Sequence, residues 1–179
     1  MKKAISLSLC LVLLLFAAAC KDKEKKDEHG VDIAYFADMG AMYESEFKIG
    51  DKVPLEKDGG EEYFFTKAGH WSCFSNGEFA YYYDEREKEP EIYAIAAFSN
   101  CMGFEAGDIS IEVTDALDSQ GIEYVTRQPQ DGEDFFLPAA QNREIAECKG
   151  LKKSLIFVFE DNALCAAFLE GVKYGTDGK

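Results

Sequence analysis

HWSCFSNGEFAYYY, residues 70–83, decides the fold class. Asn76-Gly77 between two aromatic runs is a strong hairpin signal, because both residues accept the positive φ that a tight two-residue turn demands. Such a turn pairs Phe74 with Phe79, Cys73 with Ala80, Ser72 with Tyr81, Trp71 with Tyr82 and His70 with Tyr83. Side chains alternate across a strand, so His70, Ser72, Phe74, Phe79, Tyr81 and Tyr83 share one face, and Trp71, Cys73, Ala80 and Tyr82 the other. Rings on both sides of one strand admit two arrangements. Either the chain packs against both faces, or the face carrying His70, Phe79, Tyr81 and Tyr83 is partly open and is a candidate protein-recognition surface.

Outward from the hairpin, residues 62–66 and 91–98 are β-prone, with a charged loop at 85–90. Upstream, Ile33, Phe36, Gly40, Tyr43 and Phe47 fall at helical spacing, which predicts a helix over 31–47 weakened at Gly40. Phe47-Lys-Ile-Gly50-Asp51 recurs 57 residues later as Phe104-Glu-Ala-Gly107-Asp108. Glu62-Tyr63-Phe64-Phe65-Thr66 is echoed by Glu123-Tyr124-Val125-Thr126. Self-similarity of this kind marks units that share a core. In the second copy Asp108 or Ser110 is placed to cap a helix with Ile109, Val113, Ala116 and Leu117 on one face, ended by Gly121. Strands follow at 123–127, 145–149, 154–159 and 163–169, with Asp161-Asn162 as the last turn. The expectation is an α+β fold: antiparallel sheet with short helices, in two tandem units, 31–103 and 104–179.

The first twenty residues, MKKAISLSLCLVLLLFAAAC, have a separate role. Lys2 and Lys3 precede an apolar run at 5–16, and three alanines lead to Cys20. This is the anatomy of an export signal, and the run falls short of the roughly 20 residues a membrane span needs. The ending resembles the lipobox of bacterial lipoproteins, with Ala17 where Leu or Val is commoner. That resemblance implies a signal peptide at 1–19, a lipidated Cys20 (palmitate among the acyl chains), and residence on the outer side of a bacterial membrane. Plain secretory cleavage, leaving Cys20 as an ordinary thiol, is the alternative. Residues 20–30 carry charges of both signs and form a tether.

Loss of Lys2 and Lys3 takes the formal charge from −15 to −17. So acidic a chain lacks the basic footprint that nucleic acid requires. Cys73, Cys101, Cys148 and Cys165 remain as an even set, which outside the cytoplasm suggests two disulfides. Three pairings exist. Cys73–Cys101 and Cys148–Cys165 keep one bridge in each unit, and each would contribute about 3 kcal/mol. Their spacing fits no zinc motif.

No nucleophile-elbow, zinc-protease or phosphate-loop motif occurs. The two histidines are His29, in the tether, and His70, which on a strand faces away from Cys73. The carboxylate pairs Glu61-Glu62, Asp84-Glu85 and Asp131-Gly132-Glu133-Asp134 read as solvated loops rather than as an acid–base couple or a calcium loop. No catalytic residue, metal or cofactor is expected. Gly107-Asp108, the helix with Val113 and Leu117, and the strands after it resemble small envelope lipoproteins of the BamE type and the β-lactamase-inhibitor-like fold. That resemblance implies a non-enzymatic module of the cell envelope that binds another envelope or extracellular protein. The competing expectation is a lipoprotein that captures a solute or metal with its acidic loops.

Overall fold

A computed structural model describes residues 30–54, 64–68, 71–130 and 142–171, the side chains of 64–68 and Trp71 excepted. The architecture is α+β. Helix α1 (Ile33–Met39) is followed by strands β1 (Phe64–Ala68), β2 (Trp71–Ser75), β3 (Phe79–Tyr83) and β4 (Ala94–Ala97). A short hairpin, β5 (Asn100–Cys101) and β6 (Phe104–Glu105), leads to helix α2 (Ser110–Ser119). Strands β7 (Tyr124–Arg127), β8 (Arg143–Cys148), β9 (Ser154–Glu160) and β10 (Ala163–Glu170) complete the set.

Eight strands form one antiparallel sheet in the order β1-β2-β3-β4-β10-β9-β8-β7. Two four-stranded meanders therefore lie side by side, joined through their last strands. At the join Ala96 faces Phe168.

The repeated Gly-Asp sequence has one structure in both places. The Lys48 amide donates to Asp51 Oδ2 at 2.9 Å, as Glu105 does to Asp108 Oδ2. Gly50 and Gly107 both hold positive φ, at 92° and 104°. Each donates its amide to the approach of its unit's last strand, Gly50 to Ile92 O and Gly107 to Leu164 O, both at 2.8 Å. Ile92 and Leu164 return their own amides to Asp51 O and Asp108 O. The bridges Lys52↔Glu91 and Ile109↔Ala163 extend the correspondence. Each Gly-Asp turn thus fastens the chain to the strand that forms the join.

Both helices end at a left-handed glycine whose geometry satisfies the orphan carbonyls. Gly40 N–H reaches Ala37 O and Ala41 N–H reaches Phe36 O. Gly121 N–H reaches Asp118 O and Ile122 N–H reaches Leu117 O. The helix expected over 31–47 is therefore only seven residues, because Gly40 at φ 77° stops it and Ala41 turns back to bridge Lys48. Helix α2 begins at Ile109 with no side-chain cap. Neither expected cap serves: Asp108 accepts the Glu105 amide, and the Ser110 hydroxyl bonds Asn162 Oδ1.

The hairpin register differs from expectation by two residues: Phe74 faces Tyr81 and Cys73 faces Tyr82. Gly77-Glu78 occupies the turn, and the Asn76 side chain accepts from the amides of Glu78 and Phe79. Only Gly77 takes positive φ there. An even shift keeps every side chain on its face. At the other end Asp161 and Asn162, φ 50° and 70°, make the expected last turn.

Both helices pack on one face of the sheet. Ile33 and Ala37 of α1, and Val113, Ala116 and Leu117 of α2, share a core with Phe74, Phe79, Tyr81, Ile95, Leu155, Phe157, Phe159 and Leu169. The second face carries its own buried set, including Tyr82, Ala94, Ala96, Ile145, Val158, Ala166 and Phe168. Burying each large apolar side chain contributes roughly 1.5–3 kcal/mol.

Candidate functional site

Of the aromatic face expected to be partly open, His70 lies outside the described residues. Phe79 and Tyr81 are core, 2% and 0% exposed, and Tyr83 is half-buried against them. Tyr81 stacks on Phe74 at 4.9 Å between ring centres and meets the Phe47 ring edge-on at 5.2 Å. Its hydroxyl accepts the Glu46 amide at 3.2 Å. This corrects the recognition surface: the face holding Phe79 and Tyr81 is the one the helices cover. Tyr82, on the opposite face, is buried too.

Neither expected disulfide is formed among the described residues. Each pairing straddles the sheet. Cys101 and Cys148 belong to the helix-side core, and Cys73 and Cys165 to the other face. Burial pushes the thiols of Cys101 and Cys148 up to about 12, and raises that of half-buried Cys165. The thiolate is the reactive form, so these positions are chemically quiet.

Four described carboxylates, Asp84, Glu85, Glu147 and Glu160, are engaged in structure. Asp84, buried, is gripped by the Arg86 guanidinium, and Glu85 accepts from Ser72 Oγ at 2.9 Å. Glu147 sits between Lys149 and Arg127; the Lys149 bond, aided by Arg127, holds it below the usual carboxylate range. Arg143, buried on β8, lies 3.4 Å from Glu160. Among the described residues no three His, Cys, Asp or Glu side chains are grouped to hold a metal ion. Glu61, Glu62 and the 131–134 loop lie outside the described residues, as does Cys20. No described helix is long and apolar enough to cross a membrane.

The exposed large apolar side chains are elsewhere, and Ile109, expected on the buried face of α2, is among them because it precedes the helix as its N-cap. Tyr35 (57%) and Met39 (52%) lie on α1; Ile109 (46%) and Ile111 (57%) lie at the start of α2; Val125 is on edge strand β7. Helical spacing carried the signal, since burying Ile33 and Ala37 turns Tyr35 and Met39 outward. The two helical sites lie at opposite ends of β9. Ser110 binds Asn162 at one end, and the Asp38 carboxylate accepts the Lys152 amide at the other. Seven residues of strand put about 20 Å between them.

Comparison with protein families, with curated proteins and with solved structures finds no match to this chain.

Proposed function

We propose that the chain is a lipoprotein of the bacterial cell envelope, held to the membrane through Cys20, whose folded domain binds another envelope or extracellular protein and catalyses no reaction. The observation that carries this is the order of the first thirty residues: cationic start, apolar run, three alanines, Cys20, then a charged tether that ends where the packed domain begins. The packing agrees with a passive role. The thiols of Cys101 and Cys148 are buried and raised, the described acidic pairs are tied to neighbours, and the conspicuous rings fill the core.

The partner-facing surface in this reading is the start of α2. Ile109 and Ile111 stand exposed beside Asp108, Glu112 and Asp115, a small apolar patch with an acidic rim that suits an apolar partner surface edged with Lys or Arg. The tests use the full chain in cells. Cys20→Ser moves the protein from the membrane fraction to the soluble fraction. A photocrosslinker at Ile109 traps a discrete protein that Ile111→Asp loses. A Cys20→Ser protein that stays membrane-bound would contradict the anchor, and a crosslinking pattern unchanged by Ile111→Asp would contradict the surface.

A further inference from the structure

Helix α1 has an unusual composition for so acidic a chain. Residues 33–39, IAYFADM, hold one charged side chain, Asp38. That carboxylate is taken up by the Lys152 amide at 2.8 Å and the Lys152 ammonium at 3.3 Å. The inward side of α1 is Ile33 and Ala37, fully buried. The outward side is Tyr35 and Met39, one helical turn apart and more than half exposed. Half-buried rings that pack on the core flank the patch: Tyr35 meets Phe36 edge-on at 5.5 Å, and Phe36 meets Tyr43 at 5.4 Å. The helix is thus apolar on both sides, although a surface helix needs only one apolar stripe to pack.

The length of chain before the helix says what lies against its outer side. Cys20 is ten residues from Gly30, and α1's N-cap, Asp32, follows two residues later. Ten residues reach about 35 Å when fully extended and far less when relaxed. An anchor at Cys20 therefore holds α1 within reach of the bilayer. The Ile109–Ile111 end is about 20 Å further along β9. Tyrosine is favoured at the membrane interface, where its ring meets acyl chains and its hydroxyl meets headgroups.

We propose that the outer side of α1, Tyr35 and Met39 with the flanking Phe36 and Tyr43 rings, rests on the headgroup boundary of the anchoring bilayer. It would act as a second, weak membrane contact that orients the domain with the start of α2 pointing away. The proposal rests on lipidation at Cys20. Two weak signals hold a protein at a membrane more firmly, and in a more defined pose, than one. The protein's negative charge makes a zwitterionic surface the better platform than an anionic one.

The test places the mature lipidated protein, beginning at Cys20, in phosphatidylcholine vesicles whose acyl chains are brominated near the headgroup. Met39→Trp and Ile111→Trp are compared by emission in excess of the parent's Trp71, with Tyr35→Trp as a second reporter should Met39→Trp fold poorly. The expected result is blue-shifted, quenched emission from Met39→Trp and unquenched, water-like emission from Ile111→Trp. Vesicle flotation is read on the same samples. Protein that floats with an unquenched tryptophan at 39 overturns the contact while the anchor stands. A blue-shifted but unquenched tryptophan overturns it in favour of a second protein surface on α1. Equal quenching at 39 and 111 overturns the orientation, and protein that does not float overturns the anchor and the contact together.

Discussion

Replacing Tyr81 by alanine is expected to destabilise the domain severely. The side chain is 0% exposed, stacked on Phe74 at 4.9 Å and edge-on to Phe47 at 5.2 Å. Truncating a large buried aromatic costs about 3–5 kcal/mol, through lost transfer energy and the cavity left behind. For a domain of this size each kcal/mol lowers the melting temperature by roughly 2–4 °C, so a fall of about 6–20 °C follows. Tyr81→Phe keeps the ring and removes the acceptor of the Glu46 amide, for about 1 kcal/mol. Met39→Ser, on a side chain 52% exposed, stays within about 0.5 kcal/mol. Urea titration followed by circular dichroism ranks the three. Tyr81→Ala unfolding at the parent's urea midpoint would refute the placement of this ring in the core, and with it the correction of the aromatic face.

Further expectations follow from the repeated turn, the glycines, the thiols and the acid limb. Asp51→Ala and Asp108→Ala each remove the same carboxylate-to-amide bond, so each costs about 1 kcal/mol in urea titration, and the two losses match. Gly40→Ala loses more stability than Gly121→Ala. Both hold positive φ, but only at Gly40 would a Cβ lie 3.3 Å from Ile49 Cβ, while Gly121 faces open space. Under native alkylation at pH 8, Cys165 reacts before Cys101 and Cys148, which mass spectrometry of peptides reads directly. Because the folded Glu147 carboxyl is depressed, its contribution to stability is present above the unfolded value near 4.3 and is lost as pH falls through the lower folded value. Glu147→Gln therefore flattens the acid limb of a melting-temperature profile.

Local signals were legible where one short-range constraint dominates. Gly121 ends α2 because a left-handed position is needed there, and Asp161-Asn162 turns the last hairpin for the same reason. The recurrence of Gly50-Asp51 at Gly107-Asp108 pointed to two related turns, and their hydrogen bonds coincide. The reading failed where alternatives compete within one stretch or where partners are distant. At Asn76 the side chain took the amides that a tighter turn would have left to the backbone, moving the register by two. The join of β4 to β10 is a long-range pairing that no local pattern announces. Both faces of β3 are apolar, so alternation alone could not tell which one the helices cover. The disulfide choice kept each bridge within its own unit, whereas the faces of the sheet divide the four cysteines the other way. At the candidate site the outward residues of α1 were legible as periodicity but were outweighed by the density of rings in 70–83, whereas spacing put Ile109 on the inner face of α2 and the N-cap geometry turns it out.

The anchored pose and the partner surface both depend on a covalent bond between Cys20 and membrane lipid. Intact-mass spectrometry of protein extracted from the membrane of its own cells tests it most directly. The expected result is one chain beginning at Cys20 and carrying the added mass of a diacylglyceryl group. A chain that still begins at Met1, or one that begins at an unmodified Cys20, would contradict it.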